Sequence, residues 1–401
     1  MRLKITNGVL VTLASPHPKT DTDLVIVEGK NLIIEGDRIV DITSSSPFAD
    51  ITIDAHGKLV LPGFVDPHTH LVFAGDRSWE LTLKLQGKSY EELRSLGGGI
   101  WYTVEQTRRA SIDTLITSAL PRLRYAFTWG TTTMEVKSGY GLDKPSELKL
   151  LHTIHRLQSL TPIDLVPTFL GAHDIPRDMP KPDYIHHLLN DILPSVIGLA
   201  EFIDIFCERN IYTPADARLI LEAGKHHGLI PKIHADQLSH SGGTQVAADV
   251  GAISADHLEH ADEPSLRKLK STGTIAVLLP GTTFYLRTDT IPPIDLLRKY
   301  KIPIALGTDF NPGSSPILSL PFIMSLASLL YGLTPEECLI GVTLNAAYAI
   351  NRGTTIGSLQ PGKYADILVT RFTKPEEFIY WIDYNPITWV IKRGTPFRVE
   401  H

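Results

Sequence analysis

A chain of 401 residues is too long for one ordinary core, although an α/β barrel alone can run to about 250 residues. Apolar residues at 43% and charged residues at 20% exclude extended disorder, and a formal charge of −6 with no dense Lys/Arg stripe argues against nucleic acid as a partner. Cys207 and Cys338 are the only cysteines, so no disulfide framework or thiolate metal cage is available; the start of the chain lacks a signal-peptide core and no apolar run reaches about 18 residues, which reads as a cytoplasmic protein without a membrane span.

Residues 1–60 read as a small all-β unit. Runs at 23–27, 31–34, 38–42, 51–54 and 58–61 are β-branched, and the second and third are joined as a hairpin across Glu35-Gly36-Asp37. Pro62-Gly63 breaks the pattern. From Phe64 short apolar strands alternate with helical segments, with strand candidates at 64–71, 131–136, 163–170, 202–206, 230–234, 253–257, 274–279 and 303–308. A typical connecting helix carries Ile112, Leu115, Ile116, Leu120 and Leu123 at helical spacing and stops at Trp129-Gly130. Eight such units predict a (β/α)₈ barrel over 63–355, with a doubly wound open sheet disfavoured because no Gly-rich phosphate turn follows the first strand. The tail returns to strands at 365–370, 378–382 and 387–392. Neither chain end can bury a core alone, so 1–62 and 356–401 are expected to share one small β-sandwich domain.

Polar residues gather where the barrel strands end, which is where a parallel barrel places its active site. On an extended strand His68 and His70 project to one side and Thr69 to the other. His234 and Asp309 close later strands, and four nitrogen and oxygen donors suit zinc or iron. Tyr140, His173, Gln237 and His257 occupy equivalent ends. Bland readings stand beside these: His257 and His260 as hydrogen-bonded residues of a helix start, His186-His187 and His226-His227 as surface residues, Arg77 as a loop charge, Gly97–Gly99 as a turn, and Trp101 and Tyr102 as packing. Strand four ends in Phe206-Cys-Glu-Arg, without the lysine that a carbamate-bridged metal pair would need, so a single metal is expected.

The set Pro62-Gly-Phe-Val-Asp-Pro-His-Thr-His70, His234, His257 and Asp309 resembles the mononuclear branch of the amidohydrolase superfamily. More narrowly, His68-Thr-His-Leu-Val-Phe-Ala-Gly-Asp-Arg77, Gly97-Gly-Gly-Ile, Lys137-Ser-Gly-Tyr-Gly141, Gly171-Ala-His173, His234-Ala-Asp236 and Asp309-Phe-Asn-Pro-Gly-Ser314 resemble the imidazolonepropionase family, in order from about residue 58 to 365. The resemblance implies one Zn²⁺ or Fe³⁺ held by His68, His70, His234 and Asp309, and a pocket lined by Arg77, Tyr90, Tyr140, His173, Gln237, Asn311, Gly313 and Ser314. It implies hydrolysis of the cyclic amide of 4-imidazolone-5-propanoate to N-formimidoyl-L-glutamate in histidine degradation, and a homodimer. Asp309 would carry the proton, His257 would donate to the oxyanion, and Arg77 would anchor the propionate. Many deaminases of the superfamily have Glu where this chain has Gln237, and an amide cannot act as a general base. A deaminase or another cyclic-amide hydrolase is the alternative, and a non-catalytic scaffold is disfavoured because all four metal ligands are kept.

Overall fold

The computed structural model describes residues 1–88, 92 and 95–400. Its centre is an eight-stranded parallel sheet whose strands follow chain order: Phe64–Asp66, Thr131–Lys137, Asp164–Ala172, Phe202–Cys207, Ile230–Ala235, Ser254–His257, Ile275–Leu278 and Ile304–Leu306. The first and eighth strands meet through a parallel bridge between Thr69 and Phe310, with Asp309 N–H on the His68 carbonyl at 3.0 Å and His70 N–H on the Phe310 carbonyl at 2.9 Å. Asp66 adds a side-chain clasp, accepting the Thr308 N–H at 3.0 Å and its hydroxyl at 2.6 Å. The sheet is thereby a closed barrel.

Side chains alternate along each barrel strand, and the interior set changes character along the axis. At the N-terminal end Val65, Val166, Phe202, Ile275, Val277 and Ala305 form an apolar plug closed by the alanines of helix Leu344–Ala349. Toward the C-terminal end the interior positions become Glu135, Lys137, Asp204, Lys232 and Asp256, all fully buried. The connecting helices cover the outside with the apolar stripe their spacing gives. Ile112–Thr128, for example, buries Leu115, Ile116, Ala119 and Leu123, starts at the Ser111 cap and stops before Gly130 at φ 95°.

Strands from both chain ends share sheets. A six-stranded sheet runs Thr395–Arg398, Ile387–Lys392, Ile367–Thr370, Leu59–Pro62, Val9–Val11, Ile26–Val27, and a four-stranded sheet runs Arg38–Thr43, Asn31–Glu35, Arg2–Thr6, Ile51–Asp54. The central strands of the six-stranded sheet are buried on both faces. Leu10, Val60, Ile367, Val369 and Ile391 face the four-stranded sheet, while their neighbours Val11, Leu59, Leu61, Leu368 and Val390 join the core outside the barrel. Each such side chain contributes roughly 1.5–3 kcal/mol of burial, so the small unit is welded to the barrel along this face.

Three expectations change. The first barrel strand ends at Asp66 rather than at residue 71, and His68 and His70 sit on an extended segment past it. Residues 378–382, expected as a strand, fall instead on helix Glu377–Tyr380 and the turn after it. Glu377 accepts the N–H groups of Thr373 and Lys374, which closes a helical turn, and Phe378 is buried edge-on against Phe64 and Phe372. The strands Arg2–Thr6, Val9–Val11 and Thr395–Arg398 complete the two sheets.

Candidate metal centre and active site

Four donors converge at the mouth of the barrel. His68 Nε2 and His70 Nε2 each lie 3.5 Å from Asp309 Oδ1, and His234 Nε2 lies 3.5 Å from His70 Nε2. A tetrahedral ion bonded at about 2.0–2.1 Å requires ligand atoms about 3.4 Å apart, so this spacing fits one small metal ion. His68 Nε2 is buried without a hydrogen-bond partner, as an atom meant for a metal would be. Two overlapping trios able to hold an ion occur among the described residues, His68–His70–Asp309 and His68–His234–His257, and they share His68.

The layer beneath orients these candidate ligands. Asp256 Oδ2 lies 2.6 Å from His68 Nδ1, and Asp204 Oδ2 lies 3.1 Å from His234 Nδ1. A carboxylate that accepts from His68 Nδ1 leaves the His68 Nε2 lone pair free, while Asp204 stands beside His234 Nδ1 at ion-pair distance. Burial, reinforced by Lys137 and the neighbouring histidines, holds His68 well below the ordinary histidine pKa; burial, His173 and His234 do the same for His70. Neutral imidazoles are what a metal needs. The carboxylates are held by lysines: Lys137 Nζ is 2.7 Å from Glu135 and 2.8 Å from Asp204, while Lys232 donates to the Pro67 carbonyl at 3.0 Å. Burial opposes the charge on Asp204, but His234 and Lys137 together outweigh it and hold its pKa well below the carboxylate range.

Asp309 is buried, which raises its pKa, and its Oδ2 accepts the Thr282 hydroxyl. Burial works against a charged His257, yet Glu259, 3.8 Å from His257 Nδ1, with Asp309 and Asp256 beyond it, raises its pKa overall. Four non-glycine residues around this mouth have left-handed backbone: Asp236 at φ 51°, His257 at 80°, Leu258 at 75° and Asp309 at 50°. Such conformations cost roughly 1–3 kcal/mol each and gather where function over-determines them.

A cavity of about 510 Å³ opens over the centre, lined by Arg77, Tyr140, His173, Gln237, His257, Asn311, Gly313 and Ser314 among others. The His173 ring stacks on His70 at 4.9 Å, and its Nδ1 donates to the Gly139 carbonyl at 3.0 Å. Burial and His234 lower the His173 pKa to about 3, so the ring is neutral. Buried carboxylates brace the loops that carry these groups. Glu147 accepts the Gly141 and Leu142 N–H groups beside Tyr140, and Asp236 accepts those of Ser241, Gly242 and Thr244 beyond Gln237. Asn311 accepts the Gly313 and Ser314 N–H groups and donates to the Asp309 carbonyl, so its amide shapes its own loop. Tyr90 lies outside the described residues.

Arg77 is not a loop charge. It is buried, and its Nε and Nη2 grip Glu80 at 2.8 and 3.0 Å. The bland reading holds for His226 and His227, which are exposed, and for Trp101, which is buried, while the Gly99 N–H donates to Glu80; His257 instead ends a barrel strand, and of His186 and His187 only the first is exposed. Glu80, Glu135, Asp204, Asp256, Glu259 and Thr282 carry no role in the sequence reading, and Lys137 enters it only as the first residue of a motif. The signal for the barrel-interior ones was a charge inside an otherwise apolar strand, and for Glu80 its position three residues after Arg77.

One amidohydrolase family model matches residues 197–396 and a second matches residues 52–95. The imidazolonepropionase of Geobacillus thermodenitrificans (strain NG80-2) is 46% identical over 385 residues, which cover 93% of this chain and 91% of that protein. That of Shouchella clausii (strain KSM-K16) is 43% identical, covering 96% of this chain and 90% of its own. Among solved structures a triazine hydrolase variant superposes with a TM-score of 0.75 at 15% identity, covering 98% of this chain and 94% of its own. A prolidase complexed with N-methylphosphonate-L-proline does so at 0.72 and 16%, covering 100% of both chains. At such identities these two share the fold.

Proposed function

The chain belongs to the imidazolonepropionase family of amidohydrolases, and we infer that it hydrolyses the cyclic amide bond of 4-imidazolone-5-propanoate to N-formimidoyl-L-glutamate, a step of histidine degradation. The observation that carries this reading is the spacing of His68, His70, His234 and Asp309 on the floor of a cavity whose wall carries a buried arginine. The same reading takes these four side chains as the ligands of one zinc or iron ion. When bound, that ion supplies polarisation of the ring carbonyl and lowers the pKa of an attacking water toward neutrality.

The chain's own groups do the rest. Asp309 takes the proton of the attacking water on its carboxylate and returns it to the departing ring nitrogen. His257, whose pKa Glu259 raises, donates to the oxygen as it gains charge. The neutral His173 and the buried Tyr140 confine the ring above His70, and Gln237 orients it without exchanging a proton. Arg77 lies against Gly313, where a Cβ would come within 2.5 Å of its Nη1, and it holds the propionate from that side. Tyr90 belongs to this pocket in the same reading, as do Asn311 and Ser314 through their loop.

The reading also takes the chain as a cytoplasmic homodimer. Tyr380, Trp381, Ile382 and Tyr384 are exposed together, an apolar surface of the kind subunits cover, and no described helix is long and apolar enough to cross a membrane. The test of the activity is turnover of 4-imidazolone-5-propanoate by metal-loaded protein, with the product identified and ammonia measured. Ammonia release in place of ring opening would assign the chain to the deaminases.

A further inference from the structure

The substrate carries one carboxylate, and the charges at its end of the cavity do not balance as Arg77 alone would have them. Glu80 occupies two of the arginine's donors, and burial opposes its charge, but Arg77, the Gly99 N–H and Lys84 together lower its pKa, so it is ionised. Arg77 and Glu80 therefore cancel. A second cation restores the field: Lys84 lines the same cavity, donates to the Gly313 carbonyl at 3.0 Å and lies 3.8 Å from Glu80 Oε2. Lys88 also faces the cavity, but its ammonium is paired with Glu92 at 2.7 Å.

Resting on the functional reading above, we propose that Lys84 is a specificity-determining residue: with Arg77 it forms a two-cation seat at Gly313 that selects ring substrates bearing a side-chain carboxylate. The geometry supports a shared seat because both cations touch the same glycine. Arg77 Nη1 packs where a Cβ would be, and Lys84 holds the carbonyl of that residue. An ammonium has three donors, and the Gly313 carbonyl engages one of them while Glu80 lies at ion-pair distance, which leaves donors for substrate. Helix Ser78–Leu85 places Arg77, Glu80 and Lys84 on one face by their spacing of three and four residues. Glu80 in this account is a positioning residue that holds both cations; Lys84 supplies the net charge.

The experiment compares 4-imidazolone-5-propanoate with its propionamide, which is the same ring without the charge, in metal-loaded wild type, Lys84→Gln, Lys84→Met and Lys84→Arg. For the acid, Lys84→Gln and Lys84→Met should raise KM by about 10- to 100-fold while kcat stays within about threefold, the loss expected for one charge-assisted hydrogen bond to the bound substrate. For the amide the rise in KM should be clearly smaller, since its oxygen accepts a hydrogen bond but carries no charge, and Lys84→Arg should recover most of the preference for the acid. An equal loss on acid and amide would make Lys84 structural and overturn the proposal, as would an unchanged KM for the acid. Wild-type protein that turns over neither compound would overturn the functional reading itself, and turnover of the acid with an unaltered acid-to-amide preference in both neutral variants would overturn this inference alone.

Discussion

Replacing Asp204 by Asn tests whether the buried ion network, rather than the ligands alone, builds the metal centre. The substitution keeps the shape and removes one charge that lies 2.8 Å from Lys137 Nζ and 3.1 Å from His234 Nδ1, with no solvent exposure on either Asp204 or Lys137. At an effective dielectric of about 20 a unit pair at this distance is worth about 6 kcal/mol before desolvation is counted. Desolvating two buried ions cancels much of that, and breaking a buried pair costs about 3–5 kcal/mol net. Lys137 keeps Glu135 at 2.7 Å, which places the expected loss at the lower end, about 3 kcal/mol. For a chain of this length that lowers the melting temperature of metal-free protein by about 4 °C. Metal affinity should fall separately, by about 10- to 100-fold, because the negative charge beside His234 Nδ1 is lost. Thermal unfolding of the metal-free protein and titration against a competing chelator measure the two effects. Asp249→Asn, which breaks the largely solvated Arg218 pair, is the control and should change stability by less than about 1 kcal/mol. Wild-type metal affinity together with an unshifted melting temperature in Asp204→Asn would refute the reasoning.

Other substitutions read other parts of the site. His234→Ala should lose most bound metal while the barrel still folds, and elemental analysis of wild type should find one metal per chain; two per chain would remove the mononuclear reading. Arg77→Lys should lower kcat/KM by about a hundredfold, since an ammonium can reproduce neither the grip on Glu80 nor the planar contact with a carboxylate, and unchanged kinetics would place the propionate elsewhere. His257→Ala should lose about 10²–10³ in kcat, far more than Gln237→Glu, with metal retained in both; the reverse order would move the oxyanion role to the amide. Lys363 is buried, and burial lowers its pKa from 10.5 to about 8. The folded chain loses that proton near pH 8 while the unfolded chain keeps it to 10.5, so this site destabilises the fold below pH 8 and the penalty fades as pH rises to 10.5. Compared with Lys363→Met, the wild type should gain up to about 3 kcal/mol across that window in denaturant titrations, and parallel pH profiles for the two would contradict it.

Much of the architecture was legible in the chain because the signals are local. A period of two and then of 3.6 is written into consecutive residues, so the barrel, the hairpin at Glu35–Asp37 and the placement of His234 at a strand end, with His68, His70 and Asp309 just past theirs, were close to the pattern. The apolar run of helix Glu377–Tyr380 fits a strand equally well. What decided it was a capping carboxylate and the slot between Phe64 and Phe372, one of which is more than 300 residues away. Partners were the hardest to read. Asp256 meets His68 across 188 residues, and Lys137 draws Glu135, Asp204 and Asp256 together from three strands. Arg77, Glu80 and Lys84 stand at helical spacing in plain view, yet only the folded cavity shows that Glu80 cancels Arg77 and that Lys84 remains. The chain by itself determined which faces are apolar and where the candidate metal-site residues fall relative to the strand ends, since those depend on neighbours in sequence. Which charge compensates which was decided only by the closed barrel, because electrostatic pairing depends on distance in space and on the loss of water that closure brings.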